Sequence, residues 1–415
     1  MQLASYVKLI FSQPRLIAFG FMMALVSSFG QTYFVGIFGP EIQLEFGLTH
    51  TDWGAIYMLG TLVSAALLPW TGSLIDRFSL PRYTLSVVLL LTFSSIFISL
   101  STGVITLVIA IFLLRQSGQS LSAHISSTSM ARYFDIERGR ALSLASMGAT
   151  VGGSLLPLVA VVGISMVGWR WTYLGAAVVS GCIALPLVLW LLRGHHHRHK
   201  AHLEKLATTT ADLSSGARSW NRAEVLRDRR FYLLLPGLIA TDVIVTAMFF
   251  HHISLADAKG WSHAWVTGNY VVYSITAMVV TLWTGTLIDR FRAINVAPYV
   301  LLPIILALLI PVIFDASWAV LLYMFLLGIN TGLYYPTMSA IWPELYGVQH
   351  IGAIKSLAKP IALAGSAFGP IVMGGLMDNG ISIETVCLFF SGYCIVGTLS
   401  VVIAVRRSLC HSRSS

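Results

Sequence analysis

The chain has 415 residues, 56% of them hydrophobic and 10% charged, and its mean hydropathy is +0.79. Soluble domains carry about 25% charged residues, so this composition excludes a soluble globular architecture and places most of the chain in lipid. The formal net charge of +9 would suit nucleic acid only if the basic residues formed one patch, and they do not.

Apolar runs of about 20 residues, the length that crosses a hydrocarbon core as helix, predict twelve spans. They lie at 15–39, 52–74, 82–102, 104–131, 140–166, 171–193, 231–254, 263–287, 295–314, 317–342, 352–376 and 385–405. The first follows a short basic segment, yet it runs too long and lacks an Ala-x-Ala-type exit, so an anchor and not a cleaved signal peptide is expected. The expected fold is an all-α membrane protein of twelve transmembrane helices in two pseudo-symmetric six-helix bundles, residues 1–193 and 231–415, joined by a polar linker at 194–230. Of the 26 Lys and Arg residues, all but Arg115, Arg170 and Lys259 fall in the two tails, the even-numbered connections or the span ends that adjoin them. That bias follows the positive-inside rule and predicts cytoplasmic termini, in a plasma membrane (the inner membrane if the chain is bacterial).

Within the linker, His195, His196, His197, His199 and His202 form a cluster with two readings, a metal site or a solvated basic connector beside anionic headgroups. No carboxylate or Cys cluster completes a site, which favours the connector. Cys182, Cys387 and Cys394 fall in predicted spans and Cys410 in the tail. Their spacing shows no disulfide or metal-ligand pattern, so packing is expected of them, with no metal and no cofactor. Glycines four apart at Gly148 and Gly152, and at Gly365 and Gly369, read as faces for close helix packing.

The block Gly72-Ser73-Leu74-Ile75-Asp76-Arg77-Phe78 returns 213 residues later as Gly285-Thr286-Leu287-Ile288-Asp289-Arg290-Phe291. The same ungapped offset carries Gly139 onto Gly352, Ser143-Leu144-Ala145 onto Ser356-Leu357-Ala358, Gly152 onto Gly365 and Pro157 onto Pro370. Several matches in one register require a common template, so the chain is a tandem duplication, the build of many secondary transporters. The repeated block, Gly-x-Leu-x-Asp-Arg at the ends of predicted helices 2 and 8, resembles the signature of the major facilitator superfamily. That resemblance implies alternating access between two halves, with Gly72, Asp76, Arg77, Gly285, Asp289 and Arg290 as a cytoplasmic gate. The alternative is that these residues only anchor helix ends. The first copy departs from the family pattern at Ser79, Leu80 and Pro81, where glycine and basic residues are usual.

Two further resemblances are partial. Arg115-Gln116-Ser117-Gly118-Gln119 resembles the family's Arg-x-x-Gln/Gly motif of helix 4, which implies that Arg115 handles proton or substrate. Ser28-Phe29-Gly30, Arg132-Tyr133-Phe134 leading to Arg138-Gly139, and Gly168-Trp169-Arg170 are similar to the monocarboxylate transporter and oxalate/formate antiporter branch. This similarity implies a small organic anion as substrate. The lysine which that branch carries in helix 1 is missing here, where Gln31 and Tyr33 stand instead, as is its helix-8 Asp/Arg pair.

Once the connections are set aside, the predicted membrane interior holds one basic residue, Arg115, and one acidic residue, Asp242. Each costs at least about 2.5 kcal/mol near a helix centre, so each must face protein or a watery cavity. Helices 1, 4, 7 and 10 line the central cavity in the superfamily, which by resemblance brings both charges to one pathway. Helical spacing adds Gln119, Ser122 and Ser126 to the side of Arg115, and Thr246 and Phe249 to that of Asp242. It also draws stripes through Asn330, Tyr334 and Thr337 and through Ser27, Gln31 and Phe34. The plain alternative for these stripes is interhelical hydrogen bonding. His124 points away from Arg115 and reads as a packing histidine, and His251 and His252 read as interfacial residues at the end of helix 7.

The expected function is a secondary transporter for a small organic anion, coupled to protons and working as a monomer in the bilayer. Arg115 offers a bidentate grip on a carboxylate, and an anion arriving there would release Asp242 to take up a proton. A permanent Arg115–Asp242 ion pair is the structural alternative. The rival function is a proton-driven exporter of drugs or metabolites. Gly148, Gly152, Gly153 and Pro157 give only part of that group's helix-5 motif, and the better Gly-Pro pair is Gly369-Pro370. An enzyme is not expected, since neither a Ser/His/Asp order nor His-Glu-x-x-His occurs. A transporter-derived sensor is disfavoured by the short tail after Arg407.

Overall fold

The computed structural model describes residues 9–134, 138–194, 222–346 and 351–411. The five linker histidines and most of the linker lie outside these residues. All regular structure among the described residues is helical. Among the described residues, eleven helices are long and apolar enough to cross a membrane, twelve if the bent pair Pro14–Gly30 and Thr32–Phe46, angled at 45°, is counted as one span. The predicted first span, 15–39, is therefore a broken element. Polar side chains survive in the spans by bonding their own backbone. On the Leu80–Ser99 helix, for example, Thr92, Ser94 and Ser95 donate to the carbonyls four residues back at 2.9, 2.6 and 3.0 Å, which satisfies their hydroxyls where no water competes.

The chain forms two compact units, one made of Met1–Phe38 and Leu59–Gly216, the other of Gly39–Met58 and Ala217–Ser415. In the first, Phe19, Met23, Val88, Ile125 and Met130 centre an apolar core. Gly148 and Gly152 press onto the Pro14–Val26 helix and its continuation. A Cβ at Gly148 would overlap the Phe21 carbonyl oxygen, and one at Gly152 would overlap the Ser28 hydroxyl. In the second, Phe231, Leu234, Ile341, Trp342 and Tyr346 centre the core. There Gly365 and Gly369 press in the same manner onto Ile239 and Val243 of the Arg229–Phe250 helix. The glycine spacing thus serves close helix packing in both units, as the sequence predicts.

Gly39–Met58 precedes most of the first unit in sequence but packs within the second. Trp53 and Tyr57 lie against Phe250, with ring centroids 5.4 and 4.6 Å apart. Asp378, at the end of the Ile351–Asp378 helix, caps the start of the His50–Arg77 helix. It accepts from the His50 and Thr51 amides at 3.1 and 2.6 Å and from the Thr51 hydroxyl at 2.5 Å. Beside this cap, the ring of His251 lies 5.7 Å from that of His50, and its Nε2 bonds the Pro370 carbonyl at 2.9 Å.

Candidate functional site

Arg115 opens a stretch of π-helix, Arg115–Ser122, within the Val104–Tyr133 span. Such bulges leave the regular ladder and are frequent at functional positions. The first span is irregular at the facing point: a 3-10 turn, Ser27–Gly30, runs into Gln31, whose extended backbone (φ −82°, ψ 154°) precedes the helix resuming at Thr32. The two irregular stretches meet backbone to backbone. A Cβ at Gly30 would overlap the Leu114 carbonyl and lie 2.7 Å from the Gln119 nitrogen, and one at Gly118 would lie 2.6 Å from the Gly30 nitrogen.

The break redirects hydrogen bonds. The Phe34 amide, which a regular helix would aim at Gly30, bonds the Gln31 carbonyl at 3.1 Å. Arg115 takes the Gly30 carbonyl instead, donating from Nη1 at 3.1 Å, and the same nitrogen reaches the Thr32 hydroxyl at 3.4 Å. The arginine is 1% exposed. Gln31 and Gln119 flank this point half-buried, and Tyr33 donates to the Ser28 hydroxyl at 2.9 Å. The stripe drawn from Arg115 assumes an unbroken α-helix, whereas the π-turn changes the register. Ser122 donates to the Ser117 carbonyl and Ser126 to the Gly20 carbonyl, each at 2.7 Å and buried, so these two hydroxyls serve packing. Sequence reasoning missed Gln116, which donates to Thr71 Oγ1 at 2.7 Å and accepts from Ser64 at 2.9 Å. Its signal was present as the residue next to Arg115.

In the second unit, Asp242 lies half-buried on the Arg229–Phe250 helix, whose start Asp228 caps by accepting from the Arg230 amide at 2.9 Å. Tyr334 and Tyr335 of the Ala319–Tyr346 helix both bring phenol oxygens to it, 2.6 Å from Oδ2 and 3.2 Å from Oδ1. Tyr334 is 3% exposed and also contacts the Leu238 carbonyl, while Tyr335 is 55% exposed. The carboxyl therefore has one enclosed flank and one open flank. Within this unit and among the described residues, no Lys or Arg lies within ion-pair distance of Asp242.

The structure thus brings together Asp242 and Tyr334, both singled out from the sequence, and adds Tyr335. Neighbouring positions on a helix point about 100° apart, so a single-face stripe has no place for Tyr335. Asn330 is used elsewhere: it is fully buried and donates to the Val300 carbonyl at 2.9 Å. Phe249 packs edge-on against Tyr270 and Tyr273 at 4.9 and 5.0 Å.

Of the repeated motif, Gly72 is buried with His124 beside it, whereas Gly285, Arg77 and Arg290 are exposed. The side chains of Asp76 and Asp289 lie outside the described residues. Just past the second copy, Arg292 at φ 68° donates to Glu344 at 2.7 Å, and the other Glu344 oxygen accepts from the Ile294 amide at 3.3 Å. The two cations of the odd-numbered connections each have dedicated partners. Arg170 bonds the carbonyls of Ser99 and Ser101 at 2.5 and 2.8 Å and lies over Trp169. Lys259 bridges Asp315 and Glu384 at 2.6 and 2.8 Å. Burial disfavours the charge on Lys259, but the hydrogen bonds to Asp315 and Glu384 outweigh it and hold the ammonium above its ordinary value.

The sequence profile of the Major Facilitator Superfamily matches residues 20–361. The chain belongs to this superfamily. Solved structures agree on the fold. A nucleoside transporter, NupG, superimposes with a TM-score of 0.72 at 15% identity, covering 94% of this chain and 98% of its own. A bacterial homologue of the human lysosomal transporter Spinster, solved in an inward-facing and unoccupied conformation, gives 0.67 at 15% identity, covering 96% and 98%. No curated protein matches the sequence. The superfamily member described here is accordingly a multi-pass secondary transporter of small molecules.

Proposed function

We propose that this transporter carries a small organic anion, of the monocarboxylate class, together with protons. Arg115 grips the anion and Asp242 bears the coupling proton. The observation that carries the reading is a guanidinium, 1% exposed within a membrane span, donating to an amide carbonyl and a hydroxyl at a helix break. A carboxylate is a stronger acceptor than either and fits the guanidinium fork in two parallel bonds. Gln31, Tyr33 and Gln119 border Arg115 and would complete the anion's contacts, while Tyr334 and Tyr335 hold Asp242 and Asn330 braces the neighbouring Thr241. The repeated motif supplies the rocking machinery, with Asp76, Arg77, Asp289 and Arg290 as its gate, and both termini are cytoplasmic. Residues 1–193 and 231–415 act as the two moving halves around the 194–230 linker, and the monomer is the working form.

Uptake of radiolabelled monocarboxylates into proteoliposomes, with and without an imposed pH gradient, tests the reading. Accumulation driven by the gradient and lost in Arg115→Gln is the expected result. Accumulation of bulky cations alone, or extrusion driven by the same gradient, would replace this reading with the exporter.

A further inference from the structure

The contacts of Tyr334 contain a proton count. Its phenol oxygen lies 2.6 Å from Asp242 Oδ2 and also within hydrogen-bond distance of the Leu238 carbonyl oxygen. A phenol has one O–H to donate, a carbonyl oxygen only accepts, and an ionised carboxylate only accepts. Two acceptors thus face a single proton, which cannot lie along both directions. With Asp242 ionised, one of the two contacts becomes a meeting of oxygen lone pairs in a site where Tyr334 is 3% exposed and the oxygens stand too close for a water between them.

We infer that in this conformation Asp242 is the protonated acid, and that Tyr334 is the positioning residue which makes its proton part of a directional chain. Asp242 Oδ2–H donates to the phenol oxygen of Tyr334, Tyr334 donates to the Leu238 carbonyl, and Tyr335 donates to Oδ1 at 3.2 Å. Each oxygen then has a proton where it needs one, and every contact is a hydrogen bond. Loss of the Asp242 proton forces Tyr334 to turn its own proton from Leu238 to the carboxylate. The Ala319–Tyr346 helix then gives up its hydrogen bond to the Arg229–Phe250 backbone. The half-exposed Tyr335 marks the open flank by which the proton enters and leaves. The chain makes a tie between two helices depend on one proton. It rests on the reading of Asp242 as the proton-bearing group and adds the residue that transmits its state.

Infrared difference spectroscopy of the full-length protein in lipid nanodiscs tests the inference without any transported substrate. At neutral pH the wild type should show the carbonyl-stretch band of a protonated carboxyl that is absent in Asp242→Asn. Isotope-labelled aspartate should shift the same band, which assigns it to an aspartate even if that variant fails to fold. Tyr334→Phe, which keeps the ring, should leave a band at a changed frequency because the acid proton has lost its acceptor. Absence of an aspartate band at neutral pH overturns the inference, and a band indifferent to Tyr334→Phe removes Tyr334 from the chain. Proteoliposome uptake separates this from the proposed function. A protonated Asp242 in a transporter indifferent to pH gradients would uphold the chain and reject the coupling, whereas proton-driven uptake without the band would overturn the chain alone.

Discussion

Arg115 and Asp242 are both ionisable residues set in lipid-spanning helices, but the two units accommodate them in opposite ways. The arginine is met at a helix break: a broken first span offers the Gly30 carbonyl and the Thr32 hydroxyl, and a π-turn lies against it. The aspartate is met by side chains, two phenols from consecutive positions of one helix. A site made of backbone depends on glycines that let the chains touch. A site made of side chains depends on the chemistry of two rings. The contrast also falls where the repeat fails, because at the 213 offset Arg115 corresponds to Gly328 and Asp242 to Phe29.

The largest effect expected from breaking this contrast is on Arg115. Arg115→Gln removes the charged donor, and since hydrogen bonds to charged groups contribute about 1.5–3 kcal/mol, initial uptake should fall roughly 10- to 100-fold. Next is Gly118→Ala, whose Cβ would meet the Gly30 backbone at 2.6 Å. Overpacking of this kind costs about 1–3 kcal/mol and should lower the thermal melting point in detergent, whereas Tyr335→Phe in the other unit should leave melting nearly unchanged. A helix cap is worth about 1 kcal/mol, so Asp378→Asn, which weakens the cap on His50 and Thr51, should lower melting by less than Gly118→Ala. The smallest effect is that of Lys259→Met. A base held above its ordinary value stabilises the fold fully below that value, near pH 10.4 in model peptides, and the gain is lost as pH rises through the folded one. The melting difference between wild type and Lys259→Met should therefore shrink only in strongly alkaline solution.

Much of this was legible in the sequence because lipid simplifies the problem. Span count and helical class follow from apolar run length, and the paired glycines Gly148/Gly152 and Gly365/Gly369 announced their packing role directly. Arg115 and Asp242 stood out because ionisable residues are so rare at that depth. Less legible were the places where the helix departs from regular spacing. The break at Gln31 lies inside an apolar run with no proline to mark it, and the π-turn at Arg115–Ser122 lies against that break, so a stripe drawn at α-helical period past Arg115 loses register. Tyr335 was missed for a related reason: a one-face reading keeps Tyr334 and discards its neighbour, yet both reach the same carboxyl. The packing of Gly39–Met58 within the second unit, fixed by Trp53, Tyr57 and the Asp378 cap, is a long-range contact that no local pattern encodes.

The division of labour between the two charges is tested most directly by Asp242→Asn in proteoliposomes loaded with a radiolabelled monocarboxylate, comparing exchange across equal pH with accumulation against an imposed pH gradient. If Arg115 holds the anion and Asp242 carries the proton, the variant should still exchange substrate but should no longer accumulate it with the gradient. Gradient-driven accumulation by Asp242→Asn equal to that of the wild type would contradict the account.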